Sequence, residues 1–120
     1  GSIVPADNQY KDTVKRDGNV YNVYNQDIKG SGVALNKFDK FNVDHTEIAN
    51  LHTDSKGGNG VMVNIVNDKI NINGIVNGYK KDKIGGDVFF FGKRFKPIRI
   101  PYKFFERDTS SGNTLIPPKR

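Results

Sequence analysis

The side chains that could perform chemistry in this chain are few and widely spaced. The only imidazoles, His45 and His52, have Glu47 and Asp54 beside them in the sequence, and such a mixture binds a metal ion when it converges. Their seven-residue spacing fits no usual zinc pattern, and the chain has no cysteine to complete one. We therefore expect two surface histidines, no metal site and no cofactor.

Carboxylates offer a second kind of chemistry, because a pair of them at a defined separation hydrolyses glycosidic bonds. Asp68, Asp82 and Asp87 lie in turn-like stretches between short apolar runs, so we expect solvated turn residues and no catalytic group. The run SKGGNG at 55–60 lacks the Gly-Lys-Ser/Thr ending of a phosphate-binding loop. The sequence therefore predicts a protein that is not an enzyme and has no small-molecule substrate.

Positive charge is concentrated at one end of the chain. Residues 1–92 hold 11 Lys/Arg and 11 Asp/Glu, whereas residues 93–120 hold 8 Lys/Arg and 2 Asp/Glu. The later segment interleaves its cations with Phe and Tyr, as proteins that bind single-stranded nucleic acid or lipid headgroups do. The candidate contacts to a polyanion are Lys93, Arg94, Lys96, Arg99 and Lys103. The alternative is an edge strand or a disordered extension, since four of the five prolines also lie there.

Composition divides the chain at the same point. Asparagine occurs 13 times before residue 92 and once after it. A length of 120 residues and a mean hydropathy of -0.63 suit one soluble domain with a single modest core. We predict a domain over residues 1–92 and a basic aromatic tail, extended or disordered, over 93–120. The opening stretch 1–5 lacks the basic and apolar regions of a signal peptide, so we expect a processed end or a cloning remnant.

Several stretches predict strands. TVKRDGNVYNVY at 13–24 reads as a hairpin with Asp17-Gly18 in its turn. In VALNKFDKFNVD at 33–44, placing Phe38 and Phe41 on one side requires a turn or a bulge at Asp39-Lys40. The run HTEIANLH that follows is compatible with a short helix or a loop.

Residues 61–91 contain short aliphatic runs separated by Asn, Gly or Lys, as in VMVNIVNDKININGIVNG. Such runs favour a β-helix, in which aliphatic side chains stack inside successive coils and asparagines form ladders at the corners. A β-sandwich or a small barrel is the alternative. The predicted core residues are Val61, Val63, Ile65, Ile70, Ile72, Ile75, Val88 and Phe90.

Two stretches carry a resemblance to a known family. NKFDKFNV at 36–43 is similar to the Asn-x-(Phe/Tyr)-x-x-Phe-Asn-Val segment of the N-terminal secretion domain of filamentous haemagglutinin-like exoproteins. The order DKININGIVN then IGGDVFF is a second match, and the resemblance, closest to the leukotoxin-like branch, covers about residues 3–91. The segment from 92 onward departs from the family, where further Asn-Gly coils are usual.

The resemblance implies a fold and a role. The fold would be a short right-handed parallel β-helix with an N-terminal antiparallel cap. The role would be export by an outer-membrane transporter barrel of the two-partner secretion type, leaving an adhesin secreted or held at the surface of a Gram-negative-type bacterium, with a host cell surface as a further partner. The residues implied in transporter recognition or capping are Asn36, Phe38, Phe41, Asn42 and Val43.

Two other readings stay open. A small β-barrel that binds nucleic acid or another polyanion through its basic tail would explain the charge of residues 93–120. A non-functional truncated remnant, with the tail translated from a shifted reading frame, would explain the abrupt change in composition.

Overall fold

Short strands make up most of this chain. The computed structural model describes residues 1–100 and the backbone of residues 114–115. The strands are β1 Ile3–Pro5, β2 Val14–Asp17, β3 Val20–Tyr24, β4 Asp27–Lys29, β5 Val33–Val43, β6 Ile48–His52, β7 Val61–Val66, β8 Ile70–Ile72, β9 Ile75–Lys80, β10 Lys83–Ile84, β11 Asp87–Gly92, β12 Phe95–Ile100 and β13 Thr114–Leu115. Two single-turn 3₁₀ helices, Asn8–Tyr10 and Ser55–Gly57, interrupt them. The chain is therefore all-β, as predicted.

The strands form two mixed sheets. Sheet 1 has the order β12-β11-β7-β5-β8-β13, with β1 and β4 also paired to β5, and sheet 2 has the order β10-β9-β6-β3-β2. The central pairs, β5 with β7 and β8, β7 with β11, β3 with β6 and β6 with β9, are all parallel. Neither sheet closes on itself, so the small barrel considered from the sequence is wrong.

The chain crosses repeatedly between the two sheets. From β5 it passes to β6 in sheet 2, returns to β7 and β8 in sheet 1, goes to β9 in sheet 2 and returns to β11. Paired positions on neighbouring parallel strands are therefore separated by a nearly constant length of chain: 28 residues from Asn36 to Asn64 and 27 from Asn50 to Asn77. Each passage therefore adds parallel strands to both sheets.

Antiparallel strands flank these parallel centres. β2 pairs with β3 in the hairpin predicted at 13–24. The predicted turn pair Asp17-Gly18 is wrong by one residue: Asp17 still pairs with Val20, and the turn consists of Gly18, at a φ of 60°, and Asn19. β4 and β1 pair antiparallel with β5 on the edge away from β7 and β8. β10 and β12 fold back antiparallel on β9 and β11.

The predicted irregularity at Asp39-Lys40 is a β-bulge within one long strand. In the pairing with β1, Val4 lies opposite Lys40 and Pro5 lies opposite Phe38, so one residue of β5 is extra. The bulge leaves Asp39 and Lys40 exposed while Phe38 and Phe41 both point into the core. One strand thereby places two aromatic rings three residues apart on the same face.

The predicted core is half correct. Ile70, Ile72, Val88 and Phe90 are fully buried. Val61, Val63, Ile65 and Ile75 were assigned to the wrong face. All four are only partly buried, because the opposite set of side chains on their strands points inward.

The reason for this error lies in the register of β7. Met62 pairs with Ala34 and Val88, both of which are completely buried, so Met62, Asn64 and Val66 must face the core. A one-residue change of phase in a strand moves every side chain to the other face.

The first part of the basic tail belongs to sheet 1. The change in composition at residue 92 falls at the turn between β11 and β12, and Ile98 and Ile100 of β12 are buried against the core. Pro97 lies where the pairing with β11 shifts register, which is a position that tolerates the loss of a backbone donor. In the part of the chain that is described, no helix has the length and apolar character needed to cross a membrane.

Candidate functional site

The segment 36–43, chosen from the sequence as the site of recognition, forms most of the long central strand of sheet 1. Asn36 is completely buried there. Its Oδ1 accepts a hydrogen bond from the backbone N–H of Gln26 at 3.2 Å, and its Nδ2 donates to Asn64 Oδ1 at 3.3 Å. Asn64 in turn donates to the backbone carbonyl of Phe89 at 3.2 Å. An amide ladder therefore crosses the inside of the sheet and ties three neighbouring strands together.

The two phenylalanines of the segment lie in one aromatic cluster. The ring centroids of Phe38 and Phe41 are 5.3 Å apart in an edge-to-face arrangement, and Phe41 meets Phe90 in the same way at 4.7 Å. Such pairs add about 0.5–1.5 kcal/mol beyond the burial of their area. Phe38, Phe41, Phe90 and the neighbouring Val43 are all fully buried. These side chains form the inside of the folded molecule.

Asn42 differs from the other four recognition residues because it points outward. It is partly exposed, and its Oδ1 accepts a hydrogen bond from Asn71 Nδ2 at 3.1 Å on β8. The structure thus brings the five predicted residues onto one strand but divides them between its faces. Only Asn42 presents a side chain to solvent.

The outer face of sheet 2 carries a second set of ladders that the sequence predictions missed. Equivalent positions on β3, β6 and β9 repeat the pattern aliphatic, any residue, Asn, any residue, aromatic. The paired columns are Val20, Ile48 and Ile75, then Asn22, Asn50 and Asn77, then Tyr24, His52 and Tyr79. The recurrence of VYNVY, IANLH and IVNGY at intervals of 28 and 27 residues is the signal that would have revealed this face.

His52 lies in the middle of the aromatic column. Its ring stacks on Tyr24 with centroids 4.6 Å apart and is tilted against Tyr79 at 5.6 Å. Its Nε2 lies 2.9 Å from Asn22 Oδ1, which accepts, so Nε2 carries a proton. Burial lowers the pKa of His52, against the smaller raising effects of Asp54 and Asp82.

A cluster of ionisable groups surrounds Glu47 at the start of β6. The Glu47 carboxylate is 5% exposed and accepts hydrogen bonds from Arg16 at 2.9 Å and from the Tyr21 hydroxyl at 3.0 Å. The backbone N–H of Asp44 and the terminal amine of Gly1 complete its partners. Burial alone would raise the pKa of Glu47, but these donors together hold it below its usual value. The cluster fastens the β2–β3 hairpin to the turn between the two sheets.

The histidines and carboxylates do not converge. His45 is exposed in the turn before β6, away from the aromatic column that holds His52. Asp68 and Asp82 are exposed in turns, whereas Asp87 lies at the start of β11 and pairs with Arg99 at 2.7 Å. Within residues 1–100, no three His, Asp or Glu side chains are grouped as metal ligands would be.

The predicted polyanion contacts lie on and beside β12. Arg99 pairs with Asp87 and lies over the Phe89 ring, 5.9 Å from its centroid, and Arg94 Nε lies 3.7 Å from Asp68 Oδ1. Lys93 and Lys96 are exposed. Lys103 is outside the described residues. The structure therefore gathers part of this set at one edge of sheet 1.

Comparisons with known protein families, with curated proteins and with solved structures found no match for this chain.

Proposed function

We propose that this chain is a non-catalytic export and surface-attachment domain, recognised by an outer-membrane transporter barrel of the two-partner secretion type. In its folded state it would be a short right-handed parallel β-helix with an antiparallel cap. Support for the fold comes from the parallel pairs, their spacing of 27 or 28 residues and the side-chain ladders that follow it.

The observation that carries the proposal is the burial of the recognition segment. Asn36, Phe38, Phe41 and Val43 have no exposed surface, so a partner cannot contact their side chains once the chain has folded. A transporter that reads this segment must read it in the unfolded chain. Folding then hides the signal, which gives export a direction, because the folded product no longer presents it to the transporter.

Folding outside the cell would supply a driving force for export of the chain through the barrel. Burying one Val, Ile or Phe side chain contributes about 1.5–3 kcal/mol. Each passage of the chain between the sheets buries several such residues, for example Met62, Val66, Ile70 and Ile72 in the passage through β7 and β8. Each added strand would therefore oppose return of the chain through the barrel.

The direct test compares binding of unfolded variants to the purified transporter. The chain is unfolded in urea and diluted onto a detergent-solubilised transporter barrel, and the bound fraction is measured before folding is complete. The double variant Phe38→Ser/Phe41→Ser should lose binding. Phe90→Ser is the matched control, because Phe90 is equally buried and lies in the same aromatic cluster but outside the segment. Equal binding of the two variants and the unchanged chain would contradict recognition through 36–43.

A second test asks whether transit requires an unfolded chain. Leu35 and Val63 are paired on neighbouring parallel strands and the chain has no cysteine, so Leu35→Cys/Val63→Cys introduces a single possible disulfide. Neighbouring strands lie about 4.8 Å apart, within the Cα separation that a disulfide spans. In cells that express the transporter, we expect the oxidised double variant to be retained and to be secreted once a reductant is added. Each single-cysteine variant should be secreted throughout.

The rival proposal, a polyanion binder acting through its tail, has weaker support. Of its described cations, Arg99 already pairs with Asp87 and Arg94 approaches Asp68 within the same molecule. A binder that relies on these side chains would have to break those contacts first. Secretion that needs no transporter would favour this rival.

A further inference from the structure

The outer face of sheet 1 is apolar at its centre. Because Met62, Asn64 and Val66 point inward, the alternate side chains of β7 point outward, and the parallel register extends them into rows. One row consists of Leu35, Val63 and Phe89, and the next contains Ile65 and Phe91. These side chains are partly exposed, and Phe91 reaches 38%. No asparagine column interrupts them, in contrast to the outer face of sheet 2.

A shallow groove of about 360 Å³ opens at the end of the second row. It is lined by the apolar residues Ile65, Val66 and Phe91, by Gly92, and by the polar residues Asn67 and Lys93. Position 92 has no room for a side chain, because a Cβ there would lie 2.7 Å from the Val66 carbonyl oxygen. The groove therefore joins apolar side chains to an ammonium group.

Lysines border this apolar face. Lys37 stands in the same row as Ile65 and Phe91, and Lys93 lies at the groove. Lys96 lies on β12 where its pairing with β11 shifts register, between Phe90 and Gly92 of β11. Among the residues that the structure describes, none of these three ammonium groups has a carboxylate within ion-pair distance. Asp27, opposite Leu35 on the neighbouring row, pairs with Lys29, and Asp87, one row further, pairs with Arg99. Asp39, two residues beyond Lys37 on β5, is exposed and accepts a hydrogen bond from Asn67. Three lysines against this one carboxylate leave the rim of the face with a net positive charge.

We propose that this face of sheet 1 docks onto the surface of an anionic lipid bilayer. Anionic headgroups would meet Lys37, Lys93 and Lys96, and Ile65 and Phe91 would enter the boundary between headgroups and acyl chains. A second copy of the chain is a poorer occupant, because two such faces would bring their lysines together and like charges repel. The proposal does not depend on export by a transporter.

Vesicle co-sedimentation of the full chain tests the proposal. The chain should bind vesicles that mix phosphatidylglycerol with phosphatidylcholine, and bind vesicles of phosphatidylcholine alone far less. Replacing all three lysines, as Lys37→Gln/Lys93→Gln/Lys96→Gln, should weaken partitioning about 100-fold at low salt, since each contributes about fivefold. The double variant Ile65→Ser/Phe91→Ser should weaken it about tenfold, because both side chains are only partly exposed in the free protein.

Matched controls lie on the opposite side of the molecule. Ile84, on β10 of sheet 2, is 54% exposed, so Ile84→Ser removes an apolar side chain that is more accessible than Phe91 but lies elsewhere. Lys56→Gln/Lys81→Gln/Lys83→Gln removes the same charge from exposed positions near sheet 2. Both controls should bind as the unchanged chain does. If they weaken binding as much as the variants of the face do, the face is not the docking surface.

Two further arms separate the lipid surface from other anions. Inorganic phosphate at the same phosphate concentration should not displace the chain from vesicles, and competition by it would show a site for free phosphate. Soluble polyglutamate stands for an acidic protein partner. Binding to polyglutamate without binding to vesicles would overturn the proposal. Loss of vesicle binding leaves the unfolded-chain assay with the transporter unaffected, so the two proposals fail separately.

Discussion

Both sheets contain paired asparagines, but only sheet 1 has such a pair on its inner face, in addition to the outward pair Asn42–Asn71. In sheet 1 the Asn36–Asn64 pair is fully buried and its amides meet backbone groups inside the core. In sheet 2 the Asn50–Asn77 pair, joined at 3.2 Å, stands on the outer face. A buried polar network is costly when one member is lost, whereas water can replace an exposed partner. The inner ladder therefore fixes the register of the strands, and the outer ladder mainly reinforces it.

Replacing one asparagine of each ladder by alanine should give the largest difference between the two sheets in the free energy of unfolding. Asn64→Ala removes the acceptor of the buried Asn36 Nδ2 and the side-chain donor to the Phe89 carbonyl, so the free energy of unfolding should fall by about 3 kcal/mol. Asn50→Ala should cost less, about 1 kcal/mol, because only one bond is lost and the donor that it leaves, Asn77 Nδ2, belongs to a side chain that keeps 8% of its surface exposed on the outer face. Urea unfolding measures both. Equal losses of unfolding free energy would mean that burial does not determine how much each ladder contributes to stability.

A smaller difference should appear in the response to pH, because sheet 2 holds His52 among aromatic rings. Burial lowers the pKa of His52, although Asp54 and Asp82 oppose this, so the unfolded chain binds the proton more tightly. Stability should be fully present above about pH 6.5 and should decline as the pH falls through the lower folded value. The pKa of Glu47 is also held low, so the contribution of Glu47 to stability should be lost at more acidic pH.

The variant His52→Phe keeps a ring between Tyr24 and Tyr79 and removes the titrating group. Its free energy of unfolding, measured in urea at a series of pH values, should not show the decline that begins near pH 6.5. The control is His45→Asn, at an exposed position outside the column, which should retain the decline. A decline that persists in His52→Phe would assign it to another group.

The smallest predicted effect concerns the hairpin that ends sheet 2. Lys81 and Asp82, between β9 and β10, adopt positive φ values of 55° and 59°, which are unfavourable for residues other than Gly and Asn. Lys81→Asn/Asp82→Gly should raise the free energy of unfolding by about 0.5–1 kcal/mol. In the other hairpin of the same sheet, Gly18→Ala should lower it by a similar amount, because Gly18 has a φ of 60° and open space around it. Thermal unfolding would show both shifts.

Local sequence rules predicted the features that depend on short-range geometry. The hairpin at 13–24 and the bulge in β5 are confirmed, since a two-residue turn and a pair of phenylalanines on one face each impose a local solution. The predicted burial of Ile70, Ile72, Val88 and Phe90 is confirmed for the same reason, since each alternates with polar or glycine neighbours or with an outward ring.

The errors arose where the pattern was ambiguous without its neighbours. In VMVNIV both alternating sets are mostly aliphatic, and the set containing Asn64 is the buried one because that amide finds partners across the sheet. The prediction of a short helix or a loop over HTEIANLH is wrong for Ile48–His52, which form strand β6, because IANLH alone has no strand signal. Its assignment requires comparison with VYNVY and IVNGY, two stretches that lie 28 and 27 residues away. Long-range repetition, not local propensity, specifies this part of the fold.

The antiparallel strands at the margins have a consequence for how large an assembly this architecture can build. A parallel edge would accept another strand of the same kind, and so on without limit. Here β2 and β10 terminate sheet 2, and β4, β1 and β12 terminate the margins of sheet 1 beside β5 and β11. The margin beside β8 is different, because β13 pairs parallel with it and continues the parallel pairing. At the other margins, lengthening the parallel centre would require inserting whole repeats beneath the antiparallel strands.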